Sequence, residues 1–108
     1  MKKYFLILSI LSTLLFAYDD AKEADCIILK EENSIICKYT HVRISDEKKV
    51  TFNWIEPDGV VTRTRVMTIP AGHGSVYDYR YLEHRTKGTW TFEVVDGESK
   101  ITTEFTIE

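Results

Sequence analysis

Helical periodicity is missing downstream of residue 17: no stretch of ten or more residues repeats its apolar side chains every 3.6 positions. That absence excludes a helical bundle. It also excludes a parallel α/β sheet, whose strands need crossover connections that are usually helical. An excess of basic charge is missing too. Lys and Arg number 14 against 17 Asp and Glu, a formal net charge of −3 at pH 7. Loss of Lys2 and Lys3 with a leader would make the remainder more acidic still. Nucleic acid and anionic membrane are therefore not expected partners.

Cysteine is scarce, with only 2 residues, Cys26 and Cys37. They form neither a C-x-x-C redox pair nor a four-ligand zinc pattern. No G-x-S-x-G context surrounds Ser34, Ser45, Ser75 or Ser99. Gly72-x-Gly74 opens no helix that would cradle a phosphate. The carboxylates are spread through turns and outward strand positions, with no pair whose surroundings would separate their pKa values. Neither catalysis nor a cofactor is expected from this inventory.

Only one long apolar run exists, from Tyr4 to Phe16, preceded by Lys2 and Lys3 and followed by Ala17 and the acidic Tyr18-Asp19-Asp20. This reads as a signal peptide, residues 1–17, too short to span a ~30 Å hydrocarbon core comfortably. An uncleaved anchor is the duller alternative. A lipid anchor on Cys26 is disfavoured, because Cys26 lies beyond the acidic segment Asp19 to Asp25 rather than at the edge of the apolar run. The expected location is the periplasm, with no membrane span in the mature chain. Two cysteines sent to an oxidising compartment are expected to form a Cys26–Cys37 disulfide.

After a flexible lead-in, 18–25, the segment 26–108 is written in strand grammar. Cys26 to Lys30 and Ser34 to Tyr39 flank Glu31-Glu32-Asn33 as a hairpin, and any even-length loop puts both cysteines on one face. Val50, Phe52 and Trp54 alternate with polar neighbours up to the tight turn Pro57-Asp58-Gly59. In Val60 to Ile69, Arg63, Arg65 and Met67 share one side, and which side is buried stays open. Beyond Pro70 to Gly74, Tyr77, Tyr79 and Tyr81 share one side of a strand, with Val76, Asp78, Arg80 and Leu82 on the other. Trp90, Phe92 and Val94 form a stripe before the hairpin signal Asp96-Gly97. Ile101, Phe105 and Ile107 line the last strand. The expected core stripe is Ile28, Ile36, Phe52, Trp54, Trp90, Phe92, Val94, Ile101, Phe105 and Ile107.

Seven short strands with turns at regular intervals predict an all-β antiparallel sandwich. The tryptophan of Phe52-Asn53-Trp54-Ile55-Glu56-Pro57-Asp58-Gly59, the aromatic Gly88-Thr89-Trp90-Thr91-Phe92-Glu93-Val94 and the closing Phe105-Thr106-Ile107 together resemble the immunoglobulin-like β-sandwich of small secreted bacterial envelope proteins. The cysteines depart from that pattern: antibody-type domains join the second and sixth strands, and here the sixth strand has none. The resemblance implies adhesion, assembly or binding roles in general and transfers no site residue.

The candidate binding residues are Tyr77, Tyr79 and Tyr81, three rigid amphipathic rings suited to an interface, with Arg63 and Arg65 as a rim. Two bland readings stand beside this. The tyrosines pack into the core, and the arginines protect an edge strand from aggregation. The leading expectation is a non-enzymatic module that binds another envelope protein through a sheet face or edge. The alternatives are a carbohydrate-binding or adhesive domain, and an inhibitor of a secreted hydrolase using the loop Pro70 to Ser75. His41, His73 and His84 lie in loops or strand ends and read as solvated; a copper or zinc site from His73, His84 and Met67 comes last.

Overall fold

The computed structural model describes residues 22–108; the expected signal peptide lies outside the described residues, as does the start of the lead-in. Seven strands follow one another: β1 (Glu23–Leu29), β2 (Ser34–Thr40), β3 (Lys48–Ile55), β4 (Val61–Ile69), β5 (Ser75–Tyr81), β6 (Gly88–Asp96) and β7 (Ser99–Ile107). They form two antiparallel sheets, of order β1-β2-β5 and β4-β3-β6-β7. The antiparallel sandwich expected from the sequence is present. β1 opens at Glu23, so the end of the expected lead-in is already strand.

Local chemistry explains the turns. The β1–β2 loop, with four residues from Lys30 to Asn33, closes because Asn33 adopts the left-handed conformation at φ 53°, which a short amide side chain tolerates. At the β3–β4 turn, Gly59 takes φ +92°, its N–H donates to Glu56 O at 2.8 Å, and Asp58 Oδ1 accepts from Val60 N at 3.1 Å. Between β6 and β7 only Gly97 has positive φ, at +62°. Asp96 pairs with Ser99 across it, so the loop is Gly97-Glu98 and glycine stands at its first position, as a type II′ connection requires.

The core lies between the sheets. Phe52, Trp54, Phe92 and Val94 are fully buried, joined by Val50, Trp90, Ile35, Cys37, Tyr39 and Ile69. Burying each large apolar side chain contributes about 1.5–3 kcal/mol before entropy is counted. Trp54 and Phe92 meet edge to face at 5.4 Å, as do Phe52 and Phe92 at 4.9 Å.

One expected core position is corrected. Ile36 is half-buried on the outer face, and Ile35 is the inward residue. The register decides this: Cys26 pairs directly with Cys37, so Ile28 meets Ile35 while Ile27 and Ile36 face out together. Period two allows no other assignment once that pair is set.

Cys26 and Cys37 form the expected disulfide. It staples β1 to β2 within a single sheet and does not join the two sheets. The tie between the second and sixth strands is made instead by Tyr39 and Asp96, whose hydroxyl and carboxylate meet at 2.7 Å, both buried. Lys48 Nζ completes the group at 2.9 Å from Asp96 Oδ1. Burial alone would raise the Asp96 carboxyl, but the Tyr39 hydrogen bond and the Lys48 ammonium outweigh it and hold it below its ordinary value. Burial, then the bond to Asp96 and its charge, push the Tyr39 phenol up. The strand order also differs from antibody constant domains, where the fourth strand joins the first, second and fifth. Here β4 stays beside β3, and this places its arginines opposite β5.

Candidate functional site

β5 is the edge strand of the three-stranded sheet and carries the tyrosines. Tyr77, Tyr79 and Tyr81 are 62%, 53% and 61% exposed, so the row faces outward and does not pack into the core. Pairing with β2 and β1 continues that face inward from the edge: Tyr79 lies beside Ile36 and Ile27, Tyr81 beside Ser34 and Leu29, and Tyr77 beside Lys38 and Asp25. The result is an amphipathic outer sheet face with an apolar middle row. Tyr79 and Tyr81 stand 6.5 Å apart with rings at 86°, so their rings form a notch and not a flat platform.

The other side of β5 is unusual for a core-facing strand, because it carries Asp78 and Arg80, both buried. Burying a charge is costly unless it is paired and hydrogen-bonded, and both have partners. Asp78 accepts from Trp54 Nε1 at 3.1 Å and from its neighbour Tyr79 N at 3.0 Å. It also accepts from Arg65 Nη1 at 2.8 Å and from Arg63 Nη1 at 3.4 Å. The Arg80 guanidinium lies 5.5 Å from the Trp54 ring centre and 5.8 Å from that of Trp90. Its Nη1 donates to Thr62 Oγ1 at 3.0 Å, while its Nε is buried without a partner. Burial, followed by the charges of Arg85 and Arg63, lowers the Arg80 pKa from its ordinary value.

The open side of β4, whose inward face the sequence left undecided, is resolved by register. Phe52 pairs with Arg65 and Trp54 with Arg63, so both arginines sit on the inner face of the edge strand. A β-bulge at Trp54/Ile55 shifts the start of β4. Arg63 and Arg65 reach across the gap between the sheets to β5, where Arg63 Nη1 also donates to the Tyr79 carbonyl at 3.1 Å. Arg63, Arg65, Tyr77, Tyr79 and Tyr81 are thus brought to one side of the molecule. Asp78, which holds them there, is the residue that sequence reasoning missed. Its only signal was a carboxylate lying on the same strand side as Val76 and Leu82.

The remaining candidates do not converge. His73 and His84 flank opposite ends of β5, seven residues long, a span on the order of 20 Å, so the imagined set with Met67 is not assembled. His41 was expected to be solvated and is 7% exposed, packed edge to face on Tyr39 at 5.4 Å. Among the described residues no group of three or more His, Cys, Asp or Glu is arranged to hold a metal ion. The loop Pro70 to Ser75 is pinned to the β2–β3 connection: Gly72 N donates to Ile44 O at 2.8 Å and His41 N to Gly74 O at 2.7 Å. It is a strapped loop and not a free plug.

At the other end of β5, an open depression of about 740 Å³ has Ile28, Leu82 and Ile107 among its apolar lining. Its rim mixes Lys30 and Lys87 with Glu31 and Glu83, so no single charge sign or convergent polar set marks it. None of the helices among the described residues is long and apolar enough to cross a membrane. Comparison with protein-family models finds no match to this chain, and comparison with curated proteins finds none either.

Proposed function

We propose that the chain is a non-enzymatic interaction module of the bacterial envelope, exported to the periplasm as an immunoglobulin-like domain. On this reading it docks another envelope protein through the side formed by the tyrosine face and the Arg63–Arg65 pair. One observation carries the proposal: three tyrosines, each more than half exposed, stand in a row beside Ile36 and Ile27. Exposed aromatic rings continuous with aliphatic side chains, rimmed by arginine, have the composition of a protein interface. The disulfide within the β1–β2 hairpin supports export, since such bonds persist in oxidising compartments.

Two rival readings fit less well. Stacking on a sugar ring favours a flat aromatic surface, and Tyr79 and Tyr81 are nearly perpendicular. Hydrolase inhibition through Pro70 to Ser75 asks for a protruding loop, and this one is strapped to the β2–β3 connection through Gly72, His73 and Gly74. The test is affinity capture from envelope extract with the mature domain and a Tyr77→Ser/Tyr79→Ser/Tyr81→Ser variant. A protein captured by the first and lost by the second supports the proposal. Capture unaffected by the substitutions, or replaced by glycan-array binding, rejects it.

A further inference from the structure

We infer that the free edge of β4 accepts an extended acidic segment of the partner protein as an added strand, with carboxylates spaced i, i+2 meeting Arg63 and Arg65. This rests on the interaction-module reading and specifies the partner's chemistry.

The sandwich has four edge strands, and they are not equivalent. Along β5 three of the outward backbone groups, at Tyr79 and Tyr81, are taken by the chain's own side chains. Tyr79 N–H donates to Asp78 at 3.0 Å, Tyr79 O accepts from Arg63 at 3.1 Å, and Tyr81 O accepts from Arg85 Nε at 2.9 Å. A strand added there would have to displace all three. β1 and β7 lie against each other on the opposite side of the molecule, with Lys22 Nζ donating to Ser99 Oγ at 3.1 Å. Among the described residues β4 is bonded to β5 only through the side chains of Thr62, Arg63 and Arg65, and its outward backbone groups carry no such bonds. It is nine residues long and mostly exposed, and among the described residues its backbone is bonded only to β3. Unpaired backbone groups in a long edge strand are a template for strand addition.

The arginines supply the selectivity. Arg63 and Arg65 each spend Nη1 on Asp78 or Tyr79 O, and among the described residues their Nε and Nη2 atoms bond nothing. Two guanidinium groups share one carboxylate, so a positive charge is left over at this edge of an otherwise acidic protein. Anchoring through one nitrogen holds each fork in place with its remaining donors open, which favours bidentate carboxylate recognition. Residues 63 and 65 repeat at about 6.8 Å along the strand, the same repeat as alternate side chains of an added strand. A partner segment of the form acidic-x-acidic therefore meets both in register. A second copy of β4 is a poor occupant, because central antiparallel registers set arginine against arginine, and like charges across a ladder are destabilising.

The experiment uses the mature domain and fluorescence anisotropy with a labelled eight-residue peptide alternating glutamate with threonine, its lysine counterpart, and heparin as competitor. The expected result is salt-sensitive binding of the glutamate peptide, none of the lysine peptide, and new amide-exchange protection along β4. Arg65→Lys keeps an ammonium beside Asp78 and a cooperative thermal transition within a few degrees of wild type, and weakens binding at least tenfold. Equal binding by wild type and Arg65→Lys, protection confined to β5, no binding, or preference for heparin would each overturn the inference. Tyrosine-dependent capture of an envelope protein that persists under any of those outcomes leaves the module reading standing. Peptide binding without tyrosine-dependent capture sinks that reading alone.

Discussion

Arg65 on β4 and Asp78 on β5 join the edges of the two sheets, Nη1 to Oδ1 at 2.8 Å, with the carboxylate buried and the guanidinium half in solvent. Structure and candidate function share this contact: the residue that closes the open side of the sandwich also presents a charged fork to the outside.

Removing the carboxylate tests the structural half. Asp78→Ala leaves Trp54 Nε1 without its acceptor and Arg63 and Arg65 without their counter-charge. Both arginines are partly in solvent, so the main cost is the buried indole N–H left unsatisfied, about 1–3 kcal/mol. Urea unfolding followed by tryptophan fluorescence is expected to report a loss of that size. Arg65→Lys, at a half-exposed position, is expected to cost less than about 1 kcal/mol.

The tyrosines behave differently. Because Tyr77, Tyr79 and Tyr81 are outward, Tyr79→Ala is expected to change unfolding free energy by less than about 0.5 kcal/mol while abolishing partner capture. A large drop in stability from that substitution would show that the face is structural.

Tyr39 and Asp96 give the stability curve two shoulders. Asp96 has its folded pKa below the unfolded 3.8, so the unfolded state binds the proton first as pH falls, and stability declines below that value. The Tyr39 phenol is raised above 10.0; at higher pH the unfolded chain ionises first and stability again declines. Urea midpoints measured across pH are expected to be flat near neutrality and to fall at both ends. Tyr39→Phe is expected to flatten both slopes and to cost about 1–3 kcal/mol at pH 7, the loss of a buried hydrogen bond to a charged acceptor.

Reduction of Cys26–Cys37 frees a loop with a sequence separation of 11, worth about 2–3 kcal/mol in the chain-entropy model. The melting temperature is expected to drop in dithiothreitol, with amide exchange rising first in β1.

Gly74 is held against the β2–β3 connection so closely that a Cβ there would sit 2.5 Å from His41 O. Backbone cannot yield as a flexible side chain can. Gly74→Ala is expected to destabilise by about 1–3 kcal/mol in the same urea assay.

The strands were legible wherever one face is plainly polar. Val50, Phe52 and Trp54 alternate against Thr51 and Asn53, and Trp90, Phe92 and Val94 against threonine and glutamate; both stripes are buried as the alternation implies. Ile35 and Ile36 are both apolar, so alternation alone chooses neither. The choice follows from the opposing Cys26–Cys37 pair, which sets the parity of the hairpin. The candidate site was half legible. An outward tyrosine row requires Asp78 and Arg80 to point inward, against their hydrophobicity. Their compensating partners, Arg63, Arg65 and Thr62, come from a strand in the other sheet. Nothing in the local sequence announces that pairing, because it depends on β4 staying with β3. His41 was misplaced for a related reason: its burial comes from the Gly74 strap and the Tyr39 ring, neither visible from loop composition.

The most direct test of partner docking is amide hydrogen exchange of the domain alone and bound to its captured envelope protein. New protection on β4 and β5, with the Thr89–Thr106 face of the other sheet unchanged, is the predicted result. Protection confined to β6 and β7 would contradict it.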